Sequence, residues 1–384
     1  MRPTCRLFDR SVRGIISLLV LWFCLPVALL FAQGGDRSSN RREAGQKLFR
    51  SACAACHGAD GRGTSQDVAG FTRPRTFPDF TACDQTTPEP NINWQDVITH
   101  GGRARGFSDI MPSFSAALTP EQVDDLVAYL RSFCKDSRWP RGELNLPRAL
   151  VTEKAYPEDE VVLSTSFNAQ GAPGGTSHII HEQRFGKNNQ IEVDVPVNFQ
   201  DEKHTWYGGV GDTTLAVKRT FYSNLQSGSI FALQGGVLLP TGSRTRGFGS
   251  GTTTFETFAA FDQLFRTNTF IQTQFGADLP RHTDIAPQSI FFNTAIGQSI
   301  AVDHGFGRVW SPMMEFVAAR DLVDNAKTNW DVVPQMQVTI SKRQHVKADL
   351  GVRVPITNTT GRNVQIVFYL LWDWQDGRLN EGWR

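Results

Sequence analysis

The 384-residue chain carries almost no excess charge: 39 Lys and Arg stand against 38 Asp and Glu, a formal net charge of +1. No basic tract follows the first residues, so a nucleic-acid partner is not expected. Nucleophile elbow, P-loop and dinucleotide fingerprint are all missing, which leaves no visible machinery for bond-making catalysis. Among the histidines only His178 and His181 are closely spaced. They lie three apart in a segment that reads as strand, so they face opposite ways and form no site. Cysteine is scarce at six residues and methionine at five, so each is worth placing. Beyond about residue 160 no helical period of any length occurs.

What is present centres on Cys53-Ala54-Ala55-Cys56-His57. Two cysteines three apart can each add through sulfur to one vinyl group of a haem, and the adjacent histidine then lies under the iron. A thioredoxin-like pair would want a flanking βαβ pattern. A zinc site would want a second C-x-x-C or an H-x3–5-H, and neither follows. No other C-x-x-C-H occurs, so one covalently attached haem c is expected and a dihaem peroxidase is disfavoured.

Further along, Thr119 reads as an N-cap, Pro120 as the first helical residue and Gln122 as the partner in a capping box. Val123, Leu126, Val127, Leu130 and Phe133 share one face of that helix. Upstream, Glu43 to Arg50 makes a short helix with Gly45 and Phe49. On these residues, together with Met111 before Pro112 and Tyr129 in the last helix, residues 41–135 resemble a class I cytochrome c domain. The resemblance implies an all-α fold whose first and last helices cross at Gly45. It also implies His57 as the proximal iron ligand and Met111 as the distal one. His100, at a helix end before Gly101-Gly102, is the competing sixth ligand, its other reading being a histidine favoured by the helix dipole. Met111 has its own bland reading as a gap-filling core residue. With both axial positions filled by protein, such a haem is an electron carrier rather than an enzyme, and methionine ligation raises its potential.

The N-terminus has Arg2, Arg6, Arg10 and Arg13, an apolar run from Ile15 to Phe31, then Ala32-Gln33-Gly34. This reads as a secretory signal peptide over 1–32, with an uncleaved anchor as the alternative. Export agrees with haem attachment, which the cytochrome resemblance places outside the cytoplasm in bacteria. Residues 33–42 read as a loose linker, and the cytochrome domain as 43–135. Apart from Cys5 and Cys24 in the signal and the two haem cysteines, Cys83 and Cys134 remain as an even pair. In an oxidising compartment a disulfide is expected, with two buried free thiols as the alternative. Trp139-Pro140-Arg141-Gly142 and Tyr156-Pro157-Glu158-Asp159-Glu160 mark 136–160 as an interdomain linker.

From Val161 to the end the period switches to two. Clear strands run over 190–200, 330–341, 345–354 and 364–374, with weaker ones near 161–168, 176–186, 211–223, 228–240, 252–264, 268–280, 289–301 and 308–320. About twelve antiparallel strands of roughly ten residues each suit a bilayer-spanning barrel. The apolar sets would face lipid, and Glu192, Asp194, Lys347, Asp349 and Arg353 a wet lumen. Trp206, Tyr207, Trp310, Trp330, Trp372 and Trp374 lie near strand ends, as aromatic girdles do. The stretches 209–218 and 235–242, with their Gly-Asp and Leu-Pro-Thr-Gly turns, resemble the outer-membrane family of phenol-degradation MetA-pathway, transporter-like barrels. The alternative fold is a soluble two-sheet sandwich, whose strands are shorter.

The expected protein is therefore multi-domain: an all-α cytochrome c domain followed by an all-β antiparallel domain in the outer membrane. Its expected work is one-electron transfer with periplasmic redox proteins. Two alternatives stand beside that reading. The barrel could be a solute pore with an accessory haem domain, or the β domain could be a soluble binding or oxidoreductase module.

Overall fold

The computed structural model describes residues 35–67, 70–136, 138–301 and 309–383, with side chains from residue 40 onward. The expected signal peptide lies outside these residues. Among the described residues no helix is long and apolar enough to cross a membrane, which does not bear on strands.

The helical domain contains α1 (Gly35–Leu48), α2 (Ala54–His57), α3 (Cys83–Thr86), α4 (Asn91–His100) and α5 (Pro120–Leu130), with a π-turn at Phe49–Cys53 joining the first two. The stretch expected to be a loose linker before residue 43 is instead the start of α1 from Gly35 onward. Thr119 caps α5 through a full capping box, its hydroxyl accepting from the Gln122 amide and Gln122 accepting from the Thr119 amide. Both end groups are satisfied, and the cap is worth about 1 kcal/mol. α1 and α5 cross at Gly45, where an added Cβ would lie 2.0 Å from the Asp125 carbonyl oxygen. Only glycine admits that approach. Phe49, Phe80, Ile98, Val123, Leu126, Val127 and Leu130 form the core beneath the crossing. Cys83 and Cys134 are joined as a disulfide, Cα atoms 5.2 Å apart and 51 residues apart in sequence. Closing a loop of that length stabilises by about 4 kcal/mol in the chain-entropy account.

The β domain is one sheet closed on itself. Its strands are β1 (Glu160–Asn168), β2 (Gly174–Phe185), β3 (Asn189–Glu202), β4 (Thr205–Val210), β5 (Thr213–Asn224), β6 (Ser229–Leu239) and β7 (Thr254–Leu264). They continue as β8 (Thr269–Pro280), β9 (Ser289–Gln298), β10 (Ile300–Ala301), β11 (Val309–Asp321), β12 (Asn329–Thr339), β13 (Val346–Pro355) and β14 (Gln365–Asp373). Each pairs antiparallel with its neighbour, β9 meets β11, and β1 closes on β14 from Glu160↔Asp373 to Asn168↔Gln365. β4 extends the β3 hairpin and β10 is a short tab, so the closed wall has twelve strands. Closure leaves no free edge and rules out the sandwich.

Alternation sets the two faces. Leu163, Ile191, Leu215, Phe255, Phe275, Ile296, Phe316, Leu350 and Leu370 point outward and are exposed. Glu182, Gln190, Asp262, Gln272, Glu315 and Asp349 point inward and are buried. Because β1 begins beside the end of β14, both chain ends of the barrel lie on one rim, here the proximal rim. Turns on that rim, at 186–188, 225–228 and 265–268, are shorter than distal loops such as 240–253 and 356–364.

The lumen that the inward-facing set was expected to line also holds polypeptide: Glu192 and Asp349 are buried, while Asp194, Lys347 and Arg353 keep partial exposure. From Gly142 the supposed linker runs inside the barrel. Leu144, Ala155 and Tyr156 pack against Ile230, Ala232, Phe258 and Ala260, while Leu146 and Ala149 pack against Phe270, Ala295 and Met313. Its backbone amides are satisfied by inward side chains. Thr152 donates to Glu315 (2.6 Å), Ala155 to Asp262 (2.8 Å) and Glu158 to Gln190 (2.7 Å). Gln337 and Tyr369 donate to the Arg148 carbonyl at 3.1 and 2.7 Å. A segment with no regular structure can be buried only when its polar groups find such partners.

Candidate haem-binding site

The motif cysteines sit where the π-turn passes into α2. Cys53 is half-buried, Cys56 is exposed, and both are free thiols. Burial and then the neighbouring Cys56 push the Cys53 thiol up to about 11. α2 stops at Gly58, whose φ of 71° favours glycine. The chain then folds back on the motif: Gly63 donates to the His57 carbonyl (2.7 Å) and Thr64 to that of Cys56 (2.9 Å). The Thr64 hydroxyl adds a bond to Ala55 (2.7 Å). These bonds hold the three motif side chains in one fixed turn.

His57 stacks on Phe77 with ring centroids 5.0 Å apart and lies 5.2 Å from Phe80. Burial pushes its imidazole down to about 4, so the ring is neutral near pH 7, the form in which imidazole is a metal ligand. Its Nδ1 is buried without a hydrogen-bond partner. Two thiols and a neutral, aromatically clamped imidazole bearing an unsatisfied nitrogen fit covalent haem.

Met111 lies in the loop between α4 and α5, anchored by its carbonyl, which accepts from the Gly102 amide (3.0 Å). Its side chain is half-buried against the same apolar core that Cys53 and Ala54 border. His100 has a different setting. Its side chain is 60% exposed, and its Nδ1 is held 2.7 Å from Asp96 one turn earlier in α4. The histidine that competed with Met111 therefore stands in solvent, whereas the Met111 side chain packs on the apolar core.

The helical domain docks on the proximal rim, a contact for which no local pattern exists. Arg343, in the turn between β12 and β13, donates to the Gly106 carbonyl (2.9 Å) and packs over Phe107 (4.8 Å). Glu381 accepts from Arg343 (3.0 Å) and from Arg75 (2.8 Å), clamping the two domains through the chain's last residues. Lys187, in the turn between β2 and β3, pairs with Asp136 farther round the rim. Between haem domain and mouth lies a cavity of about 1040 Å³, with Ile92, Asp96, Arg105, Ser311, Gln337 and Lys347 on its wall.

His178 and His181 fall on opposite faces of β2: His178 turns in to Asp194 (2.8 Å), and His181 turns out beside Trp374. Arg148, Glu153, Lys154, Glu158 and Glu160 lie within the expected linker and carry both signs of charge, and in a tract without helical period that mixture was the available signal of a plug.

Residues 42–133 match the family model for cytochrome c, so the helical domain is a cytochrome c domain. The solved KdgM porin is similar to the β domain, with 7% identity and TM-score 0.38, over 56% of this chain and 98% of that one. An outer membrane channel from Pseudomonas putida F1 is similar at 12% identity and TM-score 0.39, over 57% of this chain and 97% of that one. The beta domain of the Bordetella autotransporter BrkA is similar at 10% identity and TM-score 0.34, over 56% and 98%. The closed barrel itself rests on the strand pairings above. Comparison with curated proteins gives no match.

Proposed function

We propose that this protein is a monohaem c-type cytochrome anchored in the outer membrane by its own barrel. Cys53 and Cys56 would hold the haem through thioethers, with His57 and Met111 as axial ligands. The bound group supplies one-electron redox chemistry. The chain's part is to fix the ring nitrogen and the sulfur on one apolar core, and to keep both axial positions occupied by protein. The observation that carries this reading is the shared core bordered by the Cys53 turn and by Met111, with His100 exposed to solvent. With short turns and both barrel ends on one rim, the haem domain belongs on the periplasmic side, within reach of soluble redox proteins. The lumen segment favours an anchor over a pore.

Two variants test the ligand set. Met111→Ala is expected to keep covalent haem while changing the visible spectrum and lowering the potential. An unchanged spectrum would hand the ligand role to another residue. Cys53→Ser with Cys56→Ser is expected to abolish haem staining of the denatured chain. Persistent stain would overturn the attachment.

A further inference from the structure

Inside the barrel, Glu182 on β2 and Glu192 on β3 are directly opposed across the ladder. Like charges in that position repel, and here both are buried, Glu182 fully and Glu192 to 7% exposure. Glu153 reaches them from the lumen segment, and one oxygen from each of the three carboxylates lies within 4.8 Å of the others. Arg148 relieves part of the repulsion, donating to both oxygens of Glu182 (3.0 and 2.9 Å) and to Glu160 (2.8 Å). Glu192 receives no such help: its Oε2 is buried with no hydrogen-bond partner, and so is the Oε2 of Glu153. Lys218, a second nearby cation, spends its ammonium on the Lys154 carbonyl (3.2 Å). With Lys154 engaged by Glu158, the four carboxylates face Arg148 and Lys218 with two formal negative charges in excess, at a site where Glu182 and Glu192 are buried and Glu153 is partly buried.

We propose that Glu153, Glu182 and Glu192 bind one hard divalent cation of the calcium type. An all-oxygen donor set selects such ions over the thiolate- and imidazole-seeking metals. Calcium–oxygen bonds of about 2.3–2.6 Å allow ligand oxygens on opposite sides of the ion to lie ~5 Å apart. Magnesium, with bonds of about 2.0–2.1 Å and strict octahedral demands, requires a tighter cluster. One divalent ion removes the residual charge and occupies the unpartnered oxygens. It also has a mechanical consequence, because Glu153 is on the lumen segment and the other two are on the wall. The ion latches the plug to the barrel.

The test uses the full-length, haem-loaded protein in detergent, stripped with EDTA and dialysed against calcium chloride alone. Metal analysis is expected to give one calcium per chain, and calcium is expected to raise the temperature at which the barrel unfolds. Glu192→Gln, which removes one charge with little change of shape, is expected to lose the bound calcium and the calcium response. Its haem spectrum and folded-barrel migration serve as the control for folding. Should that variant fail to fold, terbium luminescence on the wild-type chain, displaced by calcium, reads the same site. Sub-stoichiometric calcium in the wild type, or full retention in Glu192→Gln, would overturn the proposal, with protons shared among the carboxylates taking the ion's place. Magnesium at one equivalent and no calcium would overturn the choice of ion.

Discussion

Leu126 and Leu350 are both leucines in the middle of regular elements, yet one is buried at 2% exposure and the other stands 59% exposed. The helical domain places apolar residues inside and charges outside. The barrel does the reverse, with Leu163, Phe275, Leu350 and Leu370 outside and Glu182, Asp262 and Glu315 inside. A continuous apolar exterior on a closed wall is stable only where the surrounding solvent is itself apolar. Two halves of one chain thus have surfaces suited to two solvents, and burial alone marks the barrel as the half whose outer face suits a membrane.

Two substitutions set that contrast against itself with the largest effect. Leu126→Ala is expected to cost the haem domain about 2–5 kcal/mol by leaving a cavity, with the barrel's heat-modifiable migration unchanged. Leu350→Arg is expected to cost the barrel about 2–4 kcal/mol through a charge at mid-membrane depth, with the haem spectrum unchanged. Equal damage to both halves from either variant would mean that the domains do not fold as separate units. Unfolding followed by haem absorbance and by gel migration separates the two.

A middle-sized effect concerns the lumen. Liposomes carrying the wild-type chain are expected to be tight to small sugars, since the segment from Gly142 packs against the inner wall at Leu144, Leu146, Ala149, Ala155 and Tyr156. Replacing 145–155 by a Gly-Ser linker of equal length is expected to raise sugar flux. High flux through the wild type would restore the pore reading. The smallest effect is expected from Thr119→Ala, which removes the side-chain half of the capping box and about 1 kcal/mol from the haem domain alone. Its readout is the haem domain's melting temperature.

Most of this contrast could be read in advance. The capping box at Thr119 and the strand set of the barrel are local patterns, and local patterns survive into structure; the crossing at Gly45 came from the cytochrome c resemblance. The lumen segment was hidden because its rules are not local. Arg148 and Glu153 read as solvated linker charges, and only closure of the wall turns the surrounding solvent into Glu182, Glu192 and Glu315. The docking clamp was hidden for a similar reason: Arg343 and Glu381 meet Gly106 and Arg75 across more than two hundred residues of sequence. Spacing offers both His100 and Met111 as ligands, with Met111 preferred. Their difference in setting, His100 exposed and Met111 against the core, is visible only once α4 and the loop after it are built.

The most direct measurement is a haem-stained gel of fractionated membranes, run with and without boiling. A haem band in the outer-membrane fraction whose migration shifts on heating is the predicted result, since it requires covalent haem and a closed barrel in one chain. A haem band in the soluble periplasm that does not shift would contradict the account.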